Sequence, residues 1–168
     1  MFRPLRENGP ALLVPAAWLV VAATVLEVVS THALFVAHVV MSTLLVAFLA
    51  ASWRDMDAEV LRAWRLVVLA GTPITLAGVA GFLALGSVPP HALLALSLFG
   101  WMLLPAAGFL YTARRVDAGA RIYEVGAACC VAGAIAVVGG SSTTWTVAGL
   151  ALVGVGQTAG ILDATLRY

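Results

Sequence analysis

The sequence predicts an all-α, polytopic integral membrane protein with six transmembrane helices arranged as three helical hairpins. Of the 168 residues, 62% are hydrophobic and only 10% are charged, whereas about 25% of a soluble domain is usually charged. The chain also contains six apolar stretches, and all of its arginines fall on one side of the topology that these stretches define. A soluble fold and a disordered chain are both excluded by this composition.

Each apolar stretch is close to the length of about 20 residues that a membrane-spanning helix needs. The stretches cover residues 11–30, 33–53, 65–85, 92–112, 123–139 and 145–163. The breaks between them contain turn-forming residues, for example Pro89-Pro90 and Gly139-Gly140. We treat residues 1–168 as one helical-bundle domain.

The arginines predict the orientation of the bundle. They lie before the first span, between the second and third, between the fourth and fifth, and after the sixth, at Arg3, Arg6, Arg54, Arg62, Arg65, Arg114, Arg115, Arg121 and Arg167. The positive-inside rule assigns that side to the cytoplasm. We therefore predict a multi-pass protein of the cell membrane with both termini in the cytoplasm.

The first stretch has a competing interpretation as a cleaved signal peptide. Arg3 and Arg6 would form its basic start, and Val28 and Ser30 would flank the cleavage point. The apolar run is longer than a usual signal core, and Glu27 lies just before that point. These two features favour an uncleaved first helix.

The second and fourth spans resemble each other at an offset of 59 or 60 residues. Thr31-His32-Ala33-Leu34 matches Pro90-His91-Ala92-Leu93, which favours repeated hairpins of similar design. In the sixth span, Gly156 and Gly160 have the GxxxG spacing that lets helices approach closely. This pair packs within the bundle or faces a partner protein.

Polar residues at membrane depth are the candidate functional residues, because burying them in lipid is costly. His38 lies within the second span, with Ser42 one turn deeper. We expect a neutral imidazole that bonds to Ser42 or to a carbonyl of a neighbouring helix, or one that binds a ligand. Gln157, the only glutamine, is expected to form an interhelical hydrogen bond in the sixth span.

A second group of candidates maps to the outer half of the membrane. Glu27 and His32, together with His38 and His91, bring a carboxylate and imidazoles to that half. Such a set binds a transition metal or relays protons when it is assembled between helices. Alternatively, Glu27 reaches the outer boundary, and the terminal histidines cap their helices or meet water. The adjacent Cys129 and Cys130 are most simply small packing residues.

The fourth span also carries a family resemblance. It contains Leu98-Phe99-Gly100-Trp101, and Gly108-Phe109-Leu110-Tyr111 follows. This pattern resembles the helix with His-Ala-His-Leu-x-Leu-Leu-Gly-Trp in haem–copper oxidase subunit I-like proteins, including NnrS-type membrane haem proteins. The resemblance implies a haem b held by histidines. Aligned on Gly100-Trp101, the family histidines fall on Leu93 and Ala95, and His91 lies just outside these positions. In the second span, Ala37-His38 matches the second half of the family's His-Ala-His. The ligands that the resemblance implies here are therefore His38 and His91.

Three functions remain open at this point. The first is a non-catalytic subunit or assembly factor that binds another membrane protein or a second copy of the chain. The second is a haem- or metal-binding protein of respiratory or nitric oxide chemistry, and the third is a transporter of a small solute or ion. We favour the first, because no soluble catalytic motif is present and the polar residues are few. The lipid bilayer is the expected environment, and the net charge of +1 does not favour nucleic acid.

Overall fold

The computed structural model of the protein describes the backbone of residues 3–167 and the side chains of residues 12–166. This part of the chain forms six α-helices and no strand: α1 (Arg3–Val25), α2 (Thr31–Ser52), α3 (Glu59–Phe82), α4 (Pro90–Ala113), α5 (Ala120–Gly139) and α6 (Thr143–Arg167). Helices α2 to α6 are long and apolar enough to cross a membrane, and α1 contributes the apolar segment Leu12–Val25. The prediction of an all-α polytopic membrane protein is confirmed.

Several helices extend beyond the predicted apolar spans. Helix α3 begins at Glu59 rather than near residue 65, and α6 continues to Arg167 rather than ending near residue 163. The predicted spans are shorter because their limits were set by the apolar residues alone. A helix satisfies its own backbone hydrogen bonds, however, and continues into the polar boundary where charged side chains meet water.

Helix α1 ends at Val25, earlier than the predicted boundary at residue 30. The amide of Val28 donates to the carbonyl of Ala23, and the amide of Glu27 donates to the carbonyl of Thr24. These two bonds form a Schellman cap, which requires a left-handed residue at the position of Glu27. Glu27 has a φ of 59° and adopts this conformation without being glycine.

Each helix packs against its neighbours in the chain, and α1 also packs against α6. Contact is extensive between α5 and α6, between α3 and α4, and between α4 and α5, but α1 and α2 touch only slightly. The second and third predicted hairpins therefore pack as pairs. In the first hairpin, α1 instead uses α6 and α2 uses α3 as the main packing partner.

Helix α2 is the most peripheral of the spans. Only 11% of its apolar window is buried within the protein, against 33% for α3, α4, α5 and α6. Its two buried side chains are the small hydroxyl residues Ser42 and Ser52. Most of the surface of α2 is therefore left for lipid.

The centre of the protein lies where α4, α5 and α6 meet. The largest fully buried side chains all belong to these helices: Tyr123, Phe109, Met102, Leu150, Val153 and Cys130. Helices α5 and α6 approach closely because Gly133 and Gly149 face each other. A Cβ on Gly133 would lie 2.5 Å from the carbonyl oxygen of Gly149, so no larger residue fits there.

The conformation of Glu27 gives a prediction about stability. A left-handed conformation costs about 1–2 kcal/mol for a residue with a Cβ, and glycine removes that cost but adds about 0.5–1 kcal/mol of unfolded-state entropy. Glu27→Gly should therefore raise the free energy of unfolding by up to about 1 kcal/mol, measured by thermal unfolding in detergent.

The matched control is Ala33→Gly, at an exposed position in the first turn of α2, which should lower stability instead. A loss of stability in Glu27→Gly would contradict the prediction, and would mean that the Glu27 carboxylate makes a stabilising contact.

Candidate functional site

The polar side chain at the centre of the protein is Gln157 of α6, which is 3% exposed. Its Oε1 accepts a hydrogen bond of 2.9 Å from the indole Nε1 of Trp18 in α1. Its Nε2 donates to the main-chain carbonyl of Trp101 in α4 at 2.9 Å, and lies 3.7 Å from the Sγ of Cys130 in α5. One amide thus contacts three other helices.

Pro105 explains why the carbonyl of Trp101 is available to Gln157. In an α-helix, the carbonyl of residue 101 accepts from the amide of residue 105, but proline has no amide hydrogen. A carbonyl without a donor is costly in the membrane interior, where no water replaces the missing bond. The Nε2 of Gln157 supplies that donor from a different helix.

Trp101 extends this hydrogen-bonded network to α3. Its indole Nε1 donates to the Oγ1 of Thr75 at 2.8 Å, and the Thr75 hydroxyl donates to the carbonyl of Gly71 at 3.0 Å. The ring lies on Gly71, where a Cβ would come within 2.5 Å of two ring carbons. Trp101 therefore fits α3 only because residue 71 has no side chain.

A second, equivalent contact joins α3 and α4 nearer the arginine-rich end. The indole Nε1 of Trp64 donates to the Oγ1 of Thr112 at 3.0 Å, and that hydroxyl donates to the carbonyl of Gly108 at 2.9 Å. The Trp64 ring is 3.4 Å from the position of a Cβ on Gly108. We call these two reciprocal contacts the tryptophan–threonine clasps.

The clasps follow from a repeat that the comparison of the second and fourth spans missed. Helix α3 contains Trp64, Gly71 and Thr75, and α4 contains Trp101, Gly108 and Thr112, with the same spacing in both helices. The residues recur at intervals of seven and four, which places them on one helix face. Because α3 and α4 are antiparallel neighbours, each tryptophan meets the glycine and threonine of the other helix.

His38 lies between α2, α3 and α4, and both of its ring nitrogens face polar atoms. Nδ1 is 2.9 Å from the carbonyl of Leu34, so it carries the hydrogen and donates to that oxygen. In the neutral ring, Nε2 then accepts from the hydroxyl of Ser97, at 3.4 Å. Ser42 bonds to the main-chain carbonyl of His38 and not to its ring.

This packing does not fit a haem at His38. The rings of His38 and Phe82 pack edge to face at a centroid distance of 5.2 Å, and a Cβ on Gly78 would lie 2.9 Å from Nε2. An iron at Nε2 would have to displace Ser97 and separate α2 from α3. His91, the second ligand implied by the family resemblance, is exposed in the first turn of α4.

Glu27 and His32 lie at the end of the bundle opposite the arginine-rich end, and both are exposed. Glu27 occupies the turn after α1, and His32 lies in the first turn of α2, where its ring contacts Phe35. Among residues 12–166, whose side chains the structure describes, no three histidine, cysteine, aspartate or glutamate side chains come together to hold a metal ion. The structure therefore does not assemble Glu27 and the histidines into one ligand group.

The Gly156 and Gly160 pair is used inside the protein. A Cβ on Gly156 would lie 2.6 Å from the Cβ of Cys129, and one on Gly160 would lie 2.5 Å from the ring of Phe109. Both glycines are buried against α5 and α4. The expectation that this pair faces a partner protein is therefore wrong, whereas packing within the bundle is correct.

Comparisons of the chain with protein-family models, with curated proteins and with solved structures give no match. What the protein does must therefore be argued from its own geometry.

The Gln157 network gives a prediction that a double-mutant cycle tests. Gln157→Met keeps the volume but leaves the Trp18 indole and the Trp101 carbonyl without partners, so it should lower the free energy of unfolding by about 1–3 kcal/mol. In a Pro105→Ala background, the new amide at residue 105 donates to the Trp101 carbonyl. The cost of Gln157→Met should then fall by about 0.5–1 kcal/mol.

The measurement is unfolding by sodium dodecyl sulphate in mixed micelles, with Thr43→Val as control, because Thr43 is exposed and its hydroxyl bonds only within α2. Equal costs of Gln157→Met with and without Pro105 would show that the amide does not serve the carbonyl that proline leaves free.

The tryptophan–threonine clasps give a second prediction. Gly71→Ala places a methyl group against the Trp101 ring and should destabilise the protein by about 1–3 kcal/mol through overpacking. Gly139→Ala is the matched control, since nothing lies within 4 Å of a Cβ there, and it should change stability little. Equal effects of the two substitutions in thermal unfolding would exclude a close-packed clasp.

Proposed function

We propose that the protein is a non-catalytic subunit or assembly factor that acts by binding another membrane protein within the bilayer. The observation that carries this proposal is the use of the polar groups at membrane depth. Seven polar side chains form hydrogen bonds with other helices or with their own helix. They are Gln157, the indoles of Trp18, Trp64 and Trp101, Thr75, Thr112 and His38. A reaction or a transport path needs polar groups that are free to meet a substrate.

The loops support the same proposal. The longest connection between helices covers residues 83–89, and the shortest covers residues 140–142. Chains of this length join neighbouring helices but do not build a catalytic domain outside the membrane. The helical bundle itself must then supply whatever surface a partner recognises.

The transport alternative receives less support from the packing. Around Gln157, the side chains of Met102, Cys130 and Val153 have no exposed surface, and Leu150 is 1% exposed. A closely packed core of this kind stabilises one arrangement of the helices and favours a fixed scaffold over a substrate pathway.

The proposal is tested by extracting the tagged protein from its native membranes in a copolymer that retains the surrounding bilayer. We expect the 17.4 kDa chain to elute with a second membrane protein at constant stoichiometry through two purification steps. A chain that elutes alone, at the size of a monomer with lipid, would contradict the proposal.

The same sample distinguishes the haem alternative. A dithionite-reduced absorption spectrum should lack a b-type band after expression with ample haem. A b-type band that disappears in His38→Ala but persists in Ser42→Ala would overturn our proposal in favour of haem binding at His38.

A further inference from the structure

A groove runs along the lipid-facing side of α2 and α3 near the arginine-rich end of the bundle. One side is lined by Leu49 and Ala50 at the end of α2 and by Trp53 and Arg54 in the turn that follows, and the other side is lined by Leu69 of α3. Its volume is about 760 Å³. Ala51 and Asp55 complete the wall.

The chemistry of the groove changes along its length. The part between helices α2 and α3 is formed by Leu49, Ala50 and Leu69, which offer only apolar surface. Trp53 is 46% exposed and follows them at the boundary of the membrane, where amphipathic tryptophan rings are favoured. Arg54, in the turn that follows α2, is exposed and also lines the groove. This order is the order of the parts of a phospholipid, from acyl chain to phosphate.

Arg54 differs from the other arginines near the groove in having its charge available. Arg65 pairs with Asp57 at 2.9 Å and lies over the Trp53 ring at 4.6 Å. Arg62 donates to the main-chain carbonyl of Asp57 at 3.0 Å. No hydrogen bond or ion pair joins Arg54 to another side chain within residues 12–166, and the neighbouring Asp55 is engaged in an interaction of its own.

We propose that this groove binds an anionic phospholipid. The phosphate accepts hydrogen bonds from the guanidinium group of Arg54, which matches phosphate geometry through two parallel N–H donors. One acyl chain lies between Leu49 and Leu69, and the glycerol region contacts Trp53. Negatively charged lipids are enriched in the cytoplasmic leaflet, and the positive-inside rule places the arginine-rich end in that leaflet. This site is independent of the function proposed above.

The test is the thermal stability of the delipidated protein in detergent, titrated with dioleoyl-phosphatidylglycerol or dioleoyl-phosphatidylcholine. A lipid that binds the folded state raises the unfolding temperature as its concentration increases. We expect phosphatidylglycerol to reach its half-maximal effect at about one tenth of the phosphatidylcholine concentration, because one charge-assisted contact contributes roughly that factor.

Four variants and one soluble probe locate the site. Arg54→Gln should remove the preference for phosphatidylglycerol, whereas Arg121→Gln, an exposed arginine at the start of α5, should retain it. Ala50→Trp should fill the groove and weaken both lipids, while Val131→Trp on the exposed face of α5 should not. Glycerophosphoglycerol, which has no acyl chains, should not stabilise the protein.

Equal effects of the two lipids on the wild-type protein would overturn the proposal, as would equal losses in Arg54→Gln and Arg121→Gln. Stabilisation by glycerophosphoglycerol alone would assign Arg54 to a soluble phosphate instead of a lipid. If Ala50→Trp shows no cooperative unfolding, the comparison of Arg54→Gln with Arg121→Gln still decides the outcome.

Discussion

The missing amide hydrogen of Pro105 is the constraint around which the centre of this protein is organised. In water, the free carbonyl of Trp101 would bond to solvent, but at the depth of α4 it needs a partner from the protein. Gln157 provides that partner and also accepts from Trp18. The side chain that corrects a local defect in α4 therefore also fixes the positions of α1 and α6.

Small residues make these polar contacts geometrically possible. Hydrogen bonds between helices require close approach, and lipid offers no hydrophobic force to drive the helices together. Gly71 and Gly108 receive the rings of Trp101 and Trp64, and Gly133 and Gly149 bring α5 and α6 into backbone contact. Glycines and polar groups thus act together: the first allow the approach and the second select one arrangement.

The cost of unpaired polar groups in lipid also explains why polar side chains in the interior are bonded within the protein while charged side chains lie at the arginine-rich end. The buried polar side chains of Gln157, Thr75 and Thr112 are bonded to other helices or to their own helix, which is the observation behind the assembly role that we propose. The boundary region carries charges in salt bridges, such as Arg115 with Glu59 and Arg65 with Asp57. It also carries the exposed Arg54 beside an apolar groove, where the surroundings change from acyl chains to head groups. The lipid site that we propose lies at this boundary.

Composition and pattern determined the fold class, the number of helices and their approximate limits, because each span must be long and apolar to cross the membrane. The sequence also indicated an interhelical bond by Gln157 and close packing by Gly156 and Gly160, since both follow from the cost of polar groups and the benefit of small ones in lipid.

The sequence did not determine which helices pair, which atoms Gln157 contacts, or that α1 packs mainly on α6 and not on α2. The reciprocal clasps of Trp64 and Trp101 were encoded in a repeat of spacing, but their meaning depends on α3 and α4 being antiparallel neighbours. The surroundings of His38 likewise depend on Gly78 and Ser97 from two other helices. Such contacts are set by the packing of distant segments, which only the tertiary structure decides.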